Sequence, residues 1–233
     1  MKLLVTRPQE DAQRTAATLK AHGHEAVIAP LLEIRFRSGP PLALEGAQAI
    51  LVTSANGVRA LAQRTARRDL PVLAVGPQSA GAARAAGFAT VKSADGDAAA
   101  LAEAVKGWAR PDEGALVHAA GAQRTGGLTE RLTAAGFVVQ SEILYEAVAV
   151  TELPPAAAEA LRTGSIDAVL LYSPRSARTF AELVHHAGLD AACARLEALC
   201  LSEAAELALG DLAFRSVRHA ARPDEEGMLA LLA

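Results

Sequence analysis

The amino-acid sequence predicts an α/β protein whose parallel sheets carry helices on both faces. Short apolar runs alternate along the 233 residues with longer amphipathic stretches, which is the pattern of βαβ units. A second observation is duplication: residues 49–59 return as residues 168–178, with Ser54 and Ser173 at equivalent places. A third is that several amphipathic stretches end at a glycine suited to a helix C-terminus. Together these features predict two related halves.

In the first part of the chain, each predicted strand is an apolar run that ends at a turn-forming residue. Each predicted helix spaces its apolar residues three or four apart. The predicted strands are 3–5, 25–29, 31–36, 50–53, 72–75, 89–91, 116–118 and 138–139. The predicted helices are 9–22, 57–67, one that ends near residue 86, 97–108 and 127–135.

The rest of the chain repeats the scheme after an extended segment over residues 142–150. The repeat covers two further stretches: residues 15–30 align with 128–143, and residues 75–80 with 200–205. By itself, the repeat places residues 15–30 and 49–80 in one lobe, and residues 128–143 and 168–205 in the other. The predicted elements are helix 156–162, strand 168–171, helix 176–185, strand 199–201, helix 203–209, strand 216–217 and helix 224–232.

Composition narrows the class of protein. A formal net charge of −3 gives no long-range attraction to nucleic acid or to an anionic membrane. No apolar run approaches the ~20 residues of a membrane span, and the N-terminus lacks a signal peptide, so we expect a cytoplasmic protein. Cys193 and Cys200 are expected to be buried, reduced thiols. Arginine greatly outnumbers lysine, which suits an anionic ligand and also suits an arginine-rich genome.

Candidate site residues lie in the loops that follow the strands, because ligands of open α/β sheets bind at that edge. Ser54 and Ser173 are interpreted either as helix N-caps or as ligand contacts, and their duplication favours ligand contact. His118 is interpreted as a structural histidine or as a ligand-facing one. Tyr145 is interpreted either as a strand tyrosine that faces solvent or a neighbouring side chain, or as a residue of an inter-lobe hinge that faces the cleft. The sequence has no Walker A, G-x-G-x-x-G, G-x-S-x-G or H-E-x-x-H motif, which disfavours a nucleotide-dependent enzyme.

An ordered series of motifs resembles uroporphyrinogen-III synthase across nearly the whole chain. The matching segments are residues 3–8, 23–30, 51–58, 74–80, 121–124, the strand around Tyr145, and 171–176. The resemblance implies two flavodoxin-like parallel-sheet lobes, interleaved and joined by a two-stranded hinge. The implied lobes are 1–35 with 151–233, and 38–142, with hinge strands 31–37 and 143–150. This arrangement replaces the pairing that the repeat alone predicts.

The resemblance also implies a function. Enzymes of this family close the linear tetrapyrrole hydroxymethylbilane to uroporphyrinogen III, with loss of water and inversion of ring D, and use no cofactor or metal. The implied protein is a monomer that takes hydroxymethylbilane as a small-molecule substrate, meets hydroxymethylbilane synthase transiently, and binds neither nucleic acid nor membrane. Tyr145 matches the family's catalytic tyrosine. The implied substrate-binding residues are Thr6, Arg7, Ser54, Ala55, Asn56, Gly76, Ser79, Arg124, Ser173 and Arg175.

One loop departs from the family pattern. Where other members have I-G-P-T-T-A, this chain has C-L-S-E-A-A at residues 200–205, so the glycine and both threonines are missing. The acidic side chain of Glu203 repels carboxylates. This loop keeps open an alternative function, a non-enzymatic, two-lobed anion-binding module derived from a synthase.

Overall fold

The computed structural model describes residues 1–123 and 126–232, and these contain eleven strands and ten helices. In chain order the elements are β1 (Lys2–Val5), α1 (Gln9–Ala21), β2 (Glu25–Ile28), β3 (Leu32–Phe36), β4 (Ala47–Val52), α2 (Ala55–Arg64), β5 (Val72–Ala74), α3 (Pro77–Ala85), β6 (Val91–Ser93), α4 (Ala98–Trp108), β7 (Ala115–Gly121), α5 (Leu128–Ala134), β8 (Val139–Ala149), α6 (Pro155–Thr163), β9 (Ala168–Leu171), α7 (Pro174–His186), α8 (Asp190–Cys193), β10 (Glu197–Cys200), α9 (Glu203–Leu207), β11 (Ser216–His219) and α10 (Glu225–Ala230).

The strands form two sheets, with the orders β11-β10-β9-β1-β2 and β3-β8-β7-β4-β5-β6. All neighbours in the first sheet are parallel, as are the four strand pairs from β8 to β6 in the second. The interleaved α/β fold is therefore confirmed, and the pairing based on the repeat alone is wrong. Similar sequences predict similar local structure, but they do not determine which strands become neighbours in a sheet.

The chain divides into two compact units. Unit 1 comprises Met1–Glu33 and Val148–Ala233, and unit 2 comprises Ile34–Ala147. Each division point falls inside a strand, one in β3 and one in β8. The Arg37 N–H donates to Leu144 O (2.7 Å), and the Val150 N–H donates to Leu31 O (3.0 Å), so β3 and β8 run antiparallel. The hinge role of these strands stays a prediction.

Several local elements differ from the sequence prediction, among them β8, β6 and α8. Strand β8 is continuous over eleven residues, although residues 140–141 separated the predicted strand 138–139 from the predicted extended segment 142–150 in a stretch with three polar residues, 140–142. Their side chains alternate between partly buried and exposed, as on the surface of a sheet. Strand β6 begins two residues later than predicted, and α8, at four residues, is too short to show a helical period in the sequence.

In each unit, alternate strand residues enter separate cores on the two faces of the sheet. In unit 1, Leu4, Val169 and Cys200 pack on one face, whereas Leu3 and Leu170 pack on the other. Unit 2 shows the same alternation along β4 and its neighbours. Burial on both faces explains why the strands appear as continuous apolar runs rather than alternating ones.

The two cysteine thiols lie in the same core cluster of unit 1 and have no exposed surface. Burial, reinforced by the carboxylates of Asp190 (for Cys193) and Glu206 (for Cys200), raises the pKa of each thiol to about 12. Thiolate is the reactive form. We expect neither cysteine to react with a maleimide at pH 8 in the folded protein, and both to react in urea. Rapid labelling of the native protein would contradict this burial.

Candidate functional site

The hydroxyl groups of Ser54 and Tyr145 meet at the carboxyl edge of the sheet in unit 2. Ser54 follows β4 and caps α2, because its Oγ accepts a hydrogen bond from the Gly57 N–H (3.1 Å). Tyr145 lies on β8, and its Oη is 2.6 Å from Ser54 Oγ. The N-cap interpretation of Ser54 is therefore confirmed, and the same hydroxyl also contacts the tyrosine.

A bulge in β8 directs the Tyr145 side chain. The strand register pairs Ala120 with Ile143 and then Gly121 with Tyr145, so Leu144 is an extra residue on β8. Leu144 is buried in the core, and Tyr145 O accepts a hydrogen bond from the Ala122 N–H (2.8 Å). Bulges change the direction of side chains and are frequent beside functional sites.

Two glycines leave the space that the tyrosine ring occupies. A Cβ at Gly121 would lie 2.9 Å from Tyr145 Cζ and 3.0 Å from its Oη. A Cβ at Gly57 would lie 2.8 Å from Ala119 O and 3.7 Å from Tyr145 Cε1. The ring therefore contacts β7 at one glycine and α2 at the other, and a side chain at Gly121 would move it.

These groups border a pocket of about 350 Å³ that lies wholly within unit 2. His118 lies inside β7, which continues to Gly121, and not at the end of its strand as predicted from the sequence. The His118 side chain is 4% exposed and lines the pocket. Hydroxyl, imidazole and amide groups dominate the lining, which consists of Thr53, Ser54, Val75, Ala98, His118, Gly121, Gln123 and Tyr145.

The environment of Tyr145 keeps its phenol protonated. Burial raises the pKa of Tyr145 above its ordinary value of 10, and the hydrogen bond with Ser54 partly opposes that rise. At neutral pH the group is a proton donor, not a base.

The other predicted site residues of unit 2 lie near the pocket without lining it. Ala55 and Asn56 form the first turn of α2, where the Asn56 Oδ1 accepts a hydrogen bond from Arg59. Gly76 is the N-cap of α3, and Ser79 is buried within that helix. Because β4 and β5 are neighbours, the N-termini of α2 and α3 lie side by side. Arg124 lies outside the described residues.

In unit 1, the predicted residues lie after the neighbouring strands β1 and β9. Thr6 is buried and donates its hydroxyl to Leu170 O (2.7 Å). The Arg7 guanidinium lies 4.4 Å from the centre of the Tyr172 ring and donates to Thr15 Oγ1 (3.2 Å). Sequence reasoning did not single out Tyr172, although it directly precedes the duplicated serine.

The start of α7 completes this group. Ser173 and Ser176 form a capping box, in which each side chain bonds the backbone N–H of the other. Arg175 lies in the first turn and is partly exposed. The N-cap interpretation of Ser173 is confirmed here as well, and its hydroxyl contacts the Ser176 hydroxyl (2.9 Å) where that of Ser54 contacts a tyrosine.

Residues 1–123 and 126–232 meet neither the requirements of a membrane-spanning helix nor those of a metal site. None of the helices there is long and apolar enough to cross a membrane. Within the same ranges, no three His, Cys, Asp or Glu side chains gather closely enough to hold a metal ion.

Replacing Gly121 with alanine tests the packing of the tyrosine. The new Cβ would meet the ring at about 3 Å. Overpacking of this kind costs ~1–3 kcal/mol, so we expect Gly121→Ala to lower the free energy of unfolding by about that amount in urea titrations. Gly81→Ala is the control, because a Cβ at this α3 position meets nothing within 4 Å. Helix propensity predicts unchanged or greater stability there. Equal stability of the two variants would contradict the close contact.

The chain is similar to one known protein family and to several solved structures. The model of one protein family, described as uroporphyrinogen-III synthase HemD, matches residues 13–230. The structure is similar to that of uroporphyrinogen-III synthetase from Helicobacter pylori, with a TM-score of 0.67, 14% identity, and coverage of 99% of this chain and 97% of that chain. The structure is also similar to that of a mutant uroporphyrinogen III synthase from the extremely thermophilic bacterium Thermus thermophilus. Here the TM-score is 0.49 and the identity 18%, with coverage of 100% of this chain and 97% of that chain. No curated protein matches the sequence.

Proposed function

The chain belongs to the uroporphyrinogen-III synthase family, and from this premise we propose that it converts hydroxymethylbilane to uroporphyrinogen III with loss of water and inversion of ring D. Membership makes it an enzyme of tetrapyrrole biosynthesis. The observation that supports the specific reaction is the contact between Tyr145 Oη and Ser54 Oγ at a pocket bordered by hydroxyl groups.

Tyr145 is proposed as the general acid. The C–O bond of the substrate's hydroxymethyl group breaks, and the leaving oxygen takes the phenol proton and departs as water. The substrate becomes an azafulvene-type cation, and the substituted carbon of ring D attacks it to form a spiro intermediate. The original bond between that carbon and the methylene attached to ring C then breaks, which gives a second azafulvene-type cation. The other α-carbon of ring D attacks this methylene, so ring D is inverted in the closed ring. A proton lost from the tetrapyrrole at the end of the sequence restores the phenol. Atoms and charge balance without a cofactor.

Control of substrate conformation is the larger task. A flexible chain of four rings also closes without inversion, so the enzyme must hold the conformer in which ring D is attacked at its substituted carbon. Fixing two reacting groups in that geometry lowers the barrier through proximity.

The substrate has eight carboxylates, and helix N-termini and arginines suit them. In unit 2, the backbone at Ser54, Ala55 and Asn56 at the start of α2, and at Gly76 and Ser79 at the start of α3, is proposed to bind carboxylates, together with Arg124. In unit 1 the proposed contacts are Thr6, Arg7, Ser173 and Arg175. Thr6 has the weakest support, because its hydroxyl already donates to Leu170 O.

The loop over residues 200–205, which departs from the family pattern, does not suit an anionic substrate. Ser202 caps α9 by accepting from the Ala205 N–H (3.4 Å), and Glu203 is exposed in the first turn. A carboxylate there disfavours an anionic substrate. We therefore leave this loop out of the proposed binding set.

The test is to generate hydroxymethylbilane in the presence of the purified protein, oxidise the products and separate the uroporphyrin isomers. The proposed reaction gives isomer III in place of isomer I. If the folded protein yields isomer I alone, the proposed reaction is wrong, and the anion-binding alternative is favoured.

Three accompanying proposals follow from the family's biosynthetic role. The enzyme acts in the cytoplasm, functions as a monomer, and receives its unstable substrate during transient contact with hydroxymethylbilane synthase.

A further inference from the structure

We propose that Ser54 is a positioning residue that donates its hydroxyl hydrogen to Tyr145 Oη and so leaves the phenol hydrogen free to point into the pocket. The structural part of this inference rests on the two side chains and the helix that Ser54 caps. Its catalytic consequence rests on the proposed function.

The hydrogen bond between Ser54 Oγ and Tyr145 Oη has two possible directions, and they have different consequences for the phenol hydrogen. A serine hydroxyl has one hydrogen and two lone pairs. The Gly57 N–H occupies one lone pair of Ser54 Oγ, and Tyr145 Oη lies 2.6 Å away. If Ser54 donates, the phenol keeps its hydrogen for a ligand. If Tyr145 donates, its only hydrogen is used inside the protein, and the group cannot act as an acid.

The helix strengthens the donor. Ser54 is the cap of the ten-residue α2, whose N-terminus carries a partial positive charge. An N–H bond into Ser54 Oγ polarises the hydroxyl and makes it a better donor to the phenol oxygen. The phenolate left after proton transfer is then stabilised by a hydrogen bond that is already in place, with no reorganisation.

Packing already fixes the ring. Tyr145 contacts the backbone at Gly57 and Gly121, so removal of the serine hydroxyl should leave the ring in place. What changes is the direction of the phenol hydrogen. His118 is the other titratable side chain among the described residues of the pocket lining, so a measurement must distinguish it from the tyrosine.

The main variant is Ser54→Gly. Glycine retains most of the capping stability, within a few tenths of a kcal/mol, whereas alanine costs about 1 kcal/mol. Ser54→Thr is the conservative variant, since threonine both caps and donates. Ser202→Gly is the matched control: the same substitution at a cap whose serine accepts from the Ala205 N–H and lies outside the proposed binding set.

Two readouts separate positioning from folding. The first is kcat for isomer III. The second is the pKa of Tyr145 from the ¹³C signal of its Cζ carbon, which titrates apart from histidine. The chain has only two tyrosines, so Tyr172→Phe assigns the signals.

We expect Ser54→Gly to raise the pKa of Tyr145 and to lower kcat about tenfold, which is the worth of one hydrogen bond to a charged group. Ser54→Thr should restore both values, and Ser202→Gly should change neither. An unchanged or lowered tyrosine pKa in Ser54→Gly overturns the inference, and so does an unchanged kcat in an active enzyme. A wild-type protein that makes no isomer III refutes the proposed reaction instead, and the pKa still decides whether Ser54 donates.

Discussion

Replacing Tyr145 with phenylalanine is expected to lower kcat by about 10²–10⁴-fold, which is the usual contribution of a positioned general acid. The phenylalanine ring still fits between Gly57 and Gly121, so the free energy of unfolding should change little. The initial rate of isomer III formation at saturating hydroxymethylbilane measures the first effect, and urea unfolding measures the second.

Tyr172→Phe is the matched control for this prediction. Tyr172 is the chain's other tyrosine, and its ring contacts the guanidinium of Arg7 in unit 1. Phenylalanine retains that ring contact and removes only the hydroxyl. We expect a much smaller loss of kcat than in Tyr145→Phe. Wild-type kcat in a folded Tyr145→Phe variant would remove this phenol from the mechanism.

The largest expected effect on stability is that of Phe180→Ala. Phe180 has no exposed surface, lies on α7 in the core of unit 1, and stacks on Phe214 with ring centroids 6.4 Å apart. Removing a buried ring loses its transfer free energy and leaves a cavity, which together cost ~3–5 kcal/mol. The free energy of unfolding of unit 1 should fall by about this amount.

The buried cysteines report on the same core. Cys193 and Cys200 belong to the cluster that contains Phe180, so the urea concentration at which they become labelled measures the opening of unit 1. Leu207→Ala is the control, because Leu207 lies in unit 1 and is 74% exposed, and surface changes fall within ~0.5 kcal/mol. A Phe180→Ala midpoint equal to that of the control would show that the ring contributes little to the core.

Much of the fold follows from local sequence patterns. Apolar runs such as residues 49–52 form strands because both faces of the sheet are buried. Ser54 and Ser173 cap helices that begin two residues before their predicted starts at residues 57 and 176. These effects act over a few residues. The importance of Tyr145 was predicted from resemblance to the family, not from any local pattern.

Other features depend on contacts between distant segments. The place of β1 between β2 and β9 cannot be read from the repeat, because both halves contain equivalent strands. The bulge at Leu144 is a register shift between β7 and β8, and nothing in the β8 sequence marks it. Gly57 and Gly121 stood within recognised motifs, but their role depends on how closely the Tyr145 ring approaches them.

The discontinuity of unit 1 has a consequence for synthesis on the ribosome. The Lys2 N–H donates to Asp167 Oδ2 (2.7 Å) across 165 positions, whereas unit 2 is a contiguous segment that is complete at Ala147. At about 5–20 residues per second, β1 waits on the order of ten seconds for its partner β9 to be translated. Strand β1 is therefore translated before all of unit 2 but is covered by β9 only after unit 2 is complete, so translation speed and chaperone protection of β1 help to determine the yield of folded enzyme.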